Sequence, residues 1–357
     1  MGLGVCCALV FGLLSGSIAQ EHWAQKLDPG FGSDGGEPEP MAISKPLGEV
    51  TGVAFDKEGN LLVFHRGDRI WDKDSFTASF TLNSDFGPIQ NSTIYTVDRT
   101  SGLVVSEHGE NQFYMPHGMA TDKEGNIYLT DVGLHQVIRL DPNFTVTLTL
   151  GEKLVPGDDD SHFCQPTDIA IASNGDFFVA DGYCNSRIMK FDKTGKLIEK
   201  FGNPNSFFPP ESGEFLVPHS LALIEDLNLL CVADRENERI QCFAAGLEGK
   251  KGIPTGTLIT KAEDIGRVFG IREKNHYLIG ITGTDSDEIE SQMFVIDINS
   301  GKATRLRRTL PYSRRQWRHI RSHNESQSNH PPPSLLISKT PIQMNSSDIT
   351  RQTTAFF

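Results

Sequence analysis

The sequence predicts an all-β chain made of repeated sheets set around one axis, and three observations predict it. Three stretches open on proline and keep one frame: PHGMATDKEGNIYLTDVGLHQVIRL from Pro116, PTDIAIASNGDFFVADGYCNSRIMKF from Pro166, and PHSLALIEDLNLLCVADRENERIQCF from Pro218. Their spacing of about 50 residues falls in the range of propeller blades. Each stretch alternates apolar and polar residues, breaks at a turn, resumes as a second strand, reaches an Asp-led turn and ends on a third strand. Several short strands per unit, with no helical periodicity, make the chain all-β.

Taken in order, residues 1–19, MGLGVCCALVFGLLSGSIA, form an apolar run ending in small residues, the form of a signal peptide with cleavage near Ala19. Residues 20–48 are rich in Gly, Pro and acidic residues and read as a disordered lead-in. Residues 49–304 carry the propeller. Its first unit, VTGVAFDKEGNLLVFHRGDRIW from Val50, shares the wording "DKEGN" and its flanking strands with the second, and a weaker fifth unit covers Ala262 to Lys302. Residues 305–357 are basic, then Ser/Asn-rich and interrupted by proline, without alternation, and read as a divergent, disordered tail. Arg305 to Arg308, with its Arg307-Arg308 pair, is a candidate processing site, set against the plainer reading of a solvated basic stretch.

A formal net charge of -13 argues against a nucleic-acid partner, because neutralising phosphates needs a basic face. After the leader, no stretch approaches the roughly 20 apolar residues of a membrane span, so the mature chain is expected to be secreted or luminal. Sequons at Asn91, Asn143, Asn324 and Asn345 fit that compartment as glycosylation candidates. Removing the leader also removes Cys6 and Cys7, which leaves Cys164, Cys184, Cys231 and Cys242. A hairpin turning at Glu236-Asn237 places Cys231 opposite Cys242, and elimination pairs Cys164 with Cys184. A zinc-thiolate site is a poor alternative, since no CxxC spacing is present.

His117 and His219 hold one position of the repeat, where the middle copy carries Thr167. Blades around an axis bring equivalent residues together, so two imidazoles at one repeat position predict a zinc site. His22, His65, His108, His135, His162 and His276 share no such position and read as surface or hydrogen-bonded imidazoles. The turns after the second strands bring Arg66, Tyr183 and Arg235 toward the same end of the axis. Guanidinium forks grip a carboxylate, and a phenol beside cations and a metal loses its proton more easily, which suits a substrate with a carboxylate and a weakly acidic hydroxyl. Asp131, Asp181 and Asp234 read as Asx-turn residues.

The strings FHRGDRIWD, MPHG, TDVGLHQV, HFCQPTDIA, DGYCNSRI, VPHSLAL and ADRENERIQCF closely resemble the peptidyl-α-hydroxyglycine α-amidating lyase family, from about Glu49 to Lys302. The resemblance implies a six-bladed propeller of the NHL type with a channel zinc on three histidines and a nearby calcium. It implies cleavage of a peptide's C-terminal α-hydroxyglycine to peptide amide and glyoxylate, after a separate peptidylglycine hydroxylating monooxygenase has made that substrate. By motif, His117 and His219 correspond to zinc ligands, Tyr183 to the base, Arg66 and Arg235 to the assisting and carboxylate-binding groups. Val53 and Met119 correspond to positions whose backbone carbonyls bind calcium. The resemblance also supports both disulfide pairings.

The resemblance ends after FVIDINSGK, where the family opens a last blade with Pro-His-Asp. This chain has no such sequence, so the last blade reads as missing or replaced by the tail. His319 and His323 do not match the family. Two rival readings follow: an inactive propeller that binds peptides or proteins, and a calcium-dependent secreted hydrolase, which would use carboxylates instead of paired histidines.

Overall fold

The computed structural model describes residues 40–247, 252–283, 291–306 and 334–336. Among the described residues, five four-stranded antiparallel sheets succeed one another along the chain. Blade 1 is built of Val50–Phe55, Leu61–His65, Ile94–Val97 and Val104–His108. Blade 2 is Pro116–Thr121, Ile127–Asp131, Gln136–Leu140 and Val146–Leu150, and blade 3 is Pro166–Ile171, Phe177–Asp181, Arg187–Phe191 and Leu197–Phe201. Blade 4 is Pro218–Ile224, Leu229–Asp234, Arg239–Ala244 and Leu258–Ala262, and blade 5 is Val268–Lys274, Tyr277–Thr282, Met293–Asp297 and Lys302–Leu306. The first strand of each blade packs against the first strand of the next, so these strands line the axis and the fourth strands face outward. The chain is an all-β propeller, as the repeats predict.

Alternation along the second strands sends successive side chains to opposite neighbours. In blade 1, Leu62 and Phe64 pack with Met119 and Leu129 of blade 2, whereas Leu61 and Val63 pack with Met41 and Ile43 on the other face. In blade 2, Tyr128 turns the other way from Leu129 and meets Phe177 and Val179 of blade 3. Phe178 and Ala180 then meet Leu221 and Val232 of blade 4, and Cys231 and Ala233 meet Ile271 and Leu278 of blade 5. From blade 1 to blade 5, each seam is thus filled by the facing sheets, at roughly 25 cal/mol for each Å² removed from water.

Two boundaries are corrected. Pro40–Ala42, inside the expected lead-in of 20–48, pairs antiparallel with Ser334–Leu336, inside the expected tail of 305–357, and the last strand of blade 5 runs on to Leu306. The first strand is too short for alternation to reveal it, but Met41 and Ile43 are 2% and 0% exposed against blade 1. Residues 1–19, Arg307, Arg308, His319, His323, Asn324 and Asn345 lie outside the described residues. Cys231 and Cys242 are direct cross-strand partners and are bonded, as are Cys164 and Cys184. Both pairings agree with the sequence.

The Asp that ends the second strand of blades 2, 3 and 4 does more than shape its own turn. Asp131 accepts from Gly133 and Leu134 in that turn, and also from Tyr114 and Met115, which lead into the inner strand. Asp181 and Asp234 likewise accept from Cys164 and Leu216 and pair with Arg187 and Arg239. In blade 1 the same place is held by His65, whose Nδ1 accepts from Gly67 at 3.1 Å. Removing one such acceptor strands several buried N–H groups. Asp131→Ala should therefore lower unfolding free energy by about 3 kcal/mol in urea titration, and a loss below about 1 kcal/mol would contradict this account.

His65 and His135 are 2% and 0% exposed, and burial holds each down to about 4 from 6.5. Between those values the unfolded chain binds the protons that the folded chain refuses, so stability is complete above pH 6.5 and falls on acidification toward pH 4. Going from pH 7 to 5, this pair together should contribute about 4 kcal/mol of destabilisation, read as the difference in that loss between the wild type and a His65→Gln, His135→Gln variant in urea titrations at each pH.

Candidate active site

The inner strand of every blade slips register at its second residue. The irregularities fall at Thr51, at His117 with Gly118, at Thr167, at His219 and at Phe269. A bulged residue leaves the ladder, so its side chain is re-aimed and its carbonyl freed. Both consequences are used here. His117 Nδ1–H donates to the carbonyl of Thr167 at 2.7 Å, and His219 Nδ1–H donates to that of Phe269 at 2.7 Å. Each imidazole is thus held by the equivalent residue of the next blade.

A carbonyl only accepts, so both Nδ1 atoms carry hydrogen and both Nε2 atoms are bare acceptors. The two Nε2 atoms converge on one phenol: Tyr183 Oη lies 3.1 Å from His117 Nε2 and 3.1 Å from His219 Nε2, with the imidazole centroids 4.9 Å apart. The phenol has one proton and can donate it to one ring. Two lone pairs therefore compete for one hydrogen. A cation would relieve that excess, and a carbonyl behind each imidazole is the outer support that metal-bound histidines use.

Thr167, at the same repeat position, turns to the backbone instead, donating to Ala180 and Pro218 carbonyls. Gly118 and Gly182 stand beside the site because the next blade leaves no room: a Cβ at Gly118 would sit 2.6 Å from the Thr167 oxygen, and one at Gly182 would sit 2.1 Å from the Pro218 oxygen.

Arg235 NH1 donates to Tyr183 Oη at 3.3 Å, and its guanidinium lies over the rings of Tyr183 and Phe269. Its Nε is held by Glu236 at 2.7 Å, which Arg267 also grips. Arg66 is buried, with Nε on the Pro116 carbonyl at 3.0 Å and NH1 on Glu49 at 2.7 Å. Its guanidinium lies 5.0 Å from the Trp71 ring, which itself stands 4.9 Å from the Tyr183 ring. His117, His219, Tyr183 and Arg235 thus form one contact group, and Arg66 joins it through Trp71.

Burial shifts the two imidazoles and the phenol. It holds His117 down to about 3, with Arg66 adding to the effect, and holds His219 well below its ordinary value, so both imidazoles are neutral. Burial also raises Tyr183 above 10, outweighing the opposite pull of Arg235 and Arg66. The two guanidiniums alone do not outweigh burial, and the expectation of an easily ionised phenol counts a metal beside them as well.

Val53 and Met119 are both the fourth residue of an inner strand, in blades 1 and 2, and both are buried. Those two strands approach closely: a Cβ on Gly52 would lie 2.7 Å from that of Met119. Among the described residues no group of three or more His, Cys, Asp or Glu is placed to hold a metal ion. Asn91 and Asn143 are exposed.

Sequence reasoning missed Trp71, Glu49, Glu236, Arg267 and Phe269. Trp71 and Glu236 stand one to five residues from Arg66 and Arg235 in the motifs themselves, a usable signal. Phe269 acts through its carbonyl, and only its place as second residue of an inner strand would have shown it.

An NHL repeat model matches residues 163–191 and 215–243, the start of blades 3 and 4. The chain is 53% identical to "Probable peptidyl-alpha-hydroxyglycine alpha-amidating lyase pgal-1" of Caenorhabditis elegans, over 72% of this chain and 73% of that protein. The chain belongs to the peptidyl-α-hydroxyglycine α-amidating lyase family. A further member of this kinship, the peptidyl-glycine alpha-amidating monooxygenase of Mus musculus, is 44% identical over 71% of this chain, which spans 26% of the mouse protein. A crystal structure of a nidogen/laminin complex superposes with a TM-score of 0.50 at 15% identity, covering 71% of this chain and 78% of that one, and shows the fold alone.

Proposed function

We propose that this chain is a secreted lyase that cleaves a C-terminal α-hydroxyglycine from peptides, giving the peptide amide and glyoxylate. The observation that carries the proposal is the placement of one phenol oxygen 3.1 Å from two imidazole Nε2 atoms and 3.3 Å from a guanidinium. His117 and His219 would hold zinc, because they are neutral and point bare lone pairs at one place. Zinc, when bound, supplies positive charge that favours oxyanions over their conjugate acids.

The chain's own groups divide the remaining work. Tyr183, as phenolate, takes the proton of the substrate hydroxyl. The electron pair of that O–H bond becomes the second bond of the glyoxylate carbonyl, the carbon–nitrogen bond breaks, and its pair goes to the amide nitrogen. Tyr183 then returns the proton to that nitrogen, so the step is neutral overall. Arg235 fixes the phenol and, with Arg66, presents guanidinium N–H groups for the substrate carboxylate. The backbone carbonyls of Val53 and Met119 would bind a structural calcium. The leader-like N-terminus, two disulfides and exposed sequons at Asn91 and Asn143 support secretion. Its substrate would come from a peptidylglycine hydroxylating monooxygenase, and the kinship with the mouse monooxygenase supports that link.

Tyr183→Phe should reduce glyoxylate release from an α-hydroxyglycine peptide at least about 100-fold while leaving bound zinc unchanged, as measured by metal analysis. Retained turnover would overturn the base. His117→Ala should lower zinc content in purified protein at fixed free metal about tenfold or more; full occupancy in that variant would overturn the ligand assignment. Peptide binding without any turnover by the wild-type chain would favour the inactive binding module instead.

A further inference from the structure

Residues 66–93 connect the second and third strands of blade 1, where residues 132–135, 182–186 and 235–238 suffice in blades 2 to 4. The long connection is well anchored. Ser75 is fully buried and donates to Asp72, an isolated bridge joins Phe76 to Leu82, and Ile89 exchanges backbone hydrogen bonds with Phe113 and Asn111 ahead of blade 2. At its head stands Trp71, partly exposed, with its indole 4.9 Å from the Tyr183 ring, 6.4 Å from the His117 ring and 5.2 Å from Phe76. Arg66 covers it at 5.0 Å. Ile70, beside it, is 53% exposed.

An anchored loop that places an indole against the phenol is a costly device if it only fills space. The hydroxyglycine has no side chain, so nothing in Tyr183 or the guanidiniums can distinguish one peptide from another. The first side chain available belongs to the preceding residue, whose Cα lies about 3.8 Å from that of the hydroxyglycine. The Trp71 ring stands 4.9 Å from the ring of Tyr183, the group assigned to the reacting hydroxyl, and so lies within reach of that preceding residue. We propose that Trp71 is the platform on which the side chain preceding the α-hydroxyglycine packs, so that the enzyme favours aromatic and large apolar residues there. Ile70 extends the same apolar surface outward.

This inference rests on the lyase reading above, and two measurements separate their fates. The first is the ratio of kcat/KM for two peptides that differ only in carrying Phe or Gly before the α-hydroxyglycine. It should be about tenfold in favour of Phe in the wild type, close to 1 in Trp71→Ala, and largely kept in Trp71→Phe. An unchanged ratio in Trp71→Ala overturns the proposal. The second is tryptophan emission on titration with the unhydroxylated Phe-Gly peptide, which cannot react. The emission should change on saturation in the wild type and stay flat in Trp71→Phe; a flat wild-type titration at concentrations where that peptide competes with substrate overturns it. Failure of the wild type to release glyoxylate from either peptide would sink the lyase reading, and the emission titration would still decide whether Trp71 meets a peptide terminus.

Discussion

The site depends on one hydrogen bond made twice: an imidazole N–H on a bulged residue donating to the carbonyl of the bulged residue one blade on, His117 to Thr167 and His219 to Phe269. That bond fixes the tautomer, and the tautomer fixes the polarity. With both Nδ1 atoms committed as donors, both Nε2 atoms face the axis as acceptors, and the phenol between them cannot satisfy both. The bulge is what makes this possible, because it takes the residue out of the ladder and turns its carbonyl across the blade boundary.

Electrostatics then refine what geometry has placed. The same burial that keeps the imidazoles neutral keeps the phenol protonated, so Tyr183 is restrained from ionising until more positive charge arrives than Arg66 and Arg235 provide. Their charge is moderated by carboxylates at the rim, Glu49 for Arg66, and Glu236 for Arg235 and Arg267 together. The arrangement keeps the guanidiniums in fixed orientations rather than as free charges.

Much of this was legible in the chain itself, for a physical reason: a repeat carries a residue to the same place in each blade, so matching positions in the wording become neighbours in space. The Pro-His pairs and the Tyr183 and Arg235 turns were read that way, and Cys231 opposite Cys242 from a hairpin turning midway between them. What escaped acts through backbone or through distant side chains. Phe269 contributes a carbonyl that any residue possesses, the strand at Pro40–Ala42 is too short to show a period, and the Asp131 class looks like a local turn until its bonds to Tyr114 and Met115 are seen. Trp71 sits in a loop with no counterpart in blades 2 to 4, so repetition gave no frame for it.

The two imidazole straps cross different seams. His117 is tied across the seam between blades 2 and 3, filled by Tyr128, Phe177 and Val179, and His219 across that between blades 4 and 5, filled by Cys231, Ile271 and Leu278. The gap separating the rings is therefore a gauge of how both seams are seated. Apolar substitutions buried far from the channel would register there as misaligned chemistry before they register as unfolding, and sequence drift in this protein is constrained deep in its sheets by what must happen at its centre.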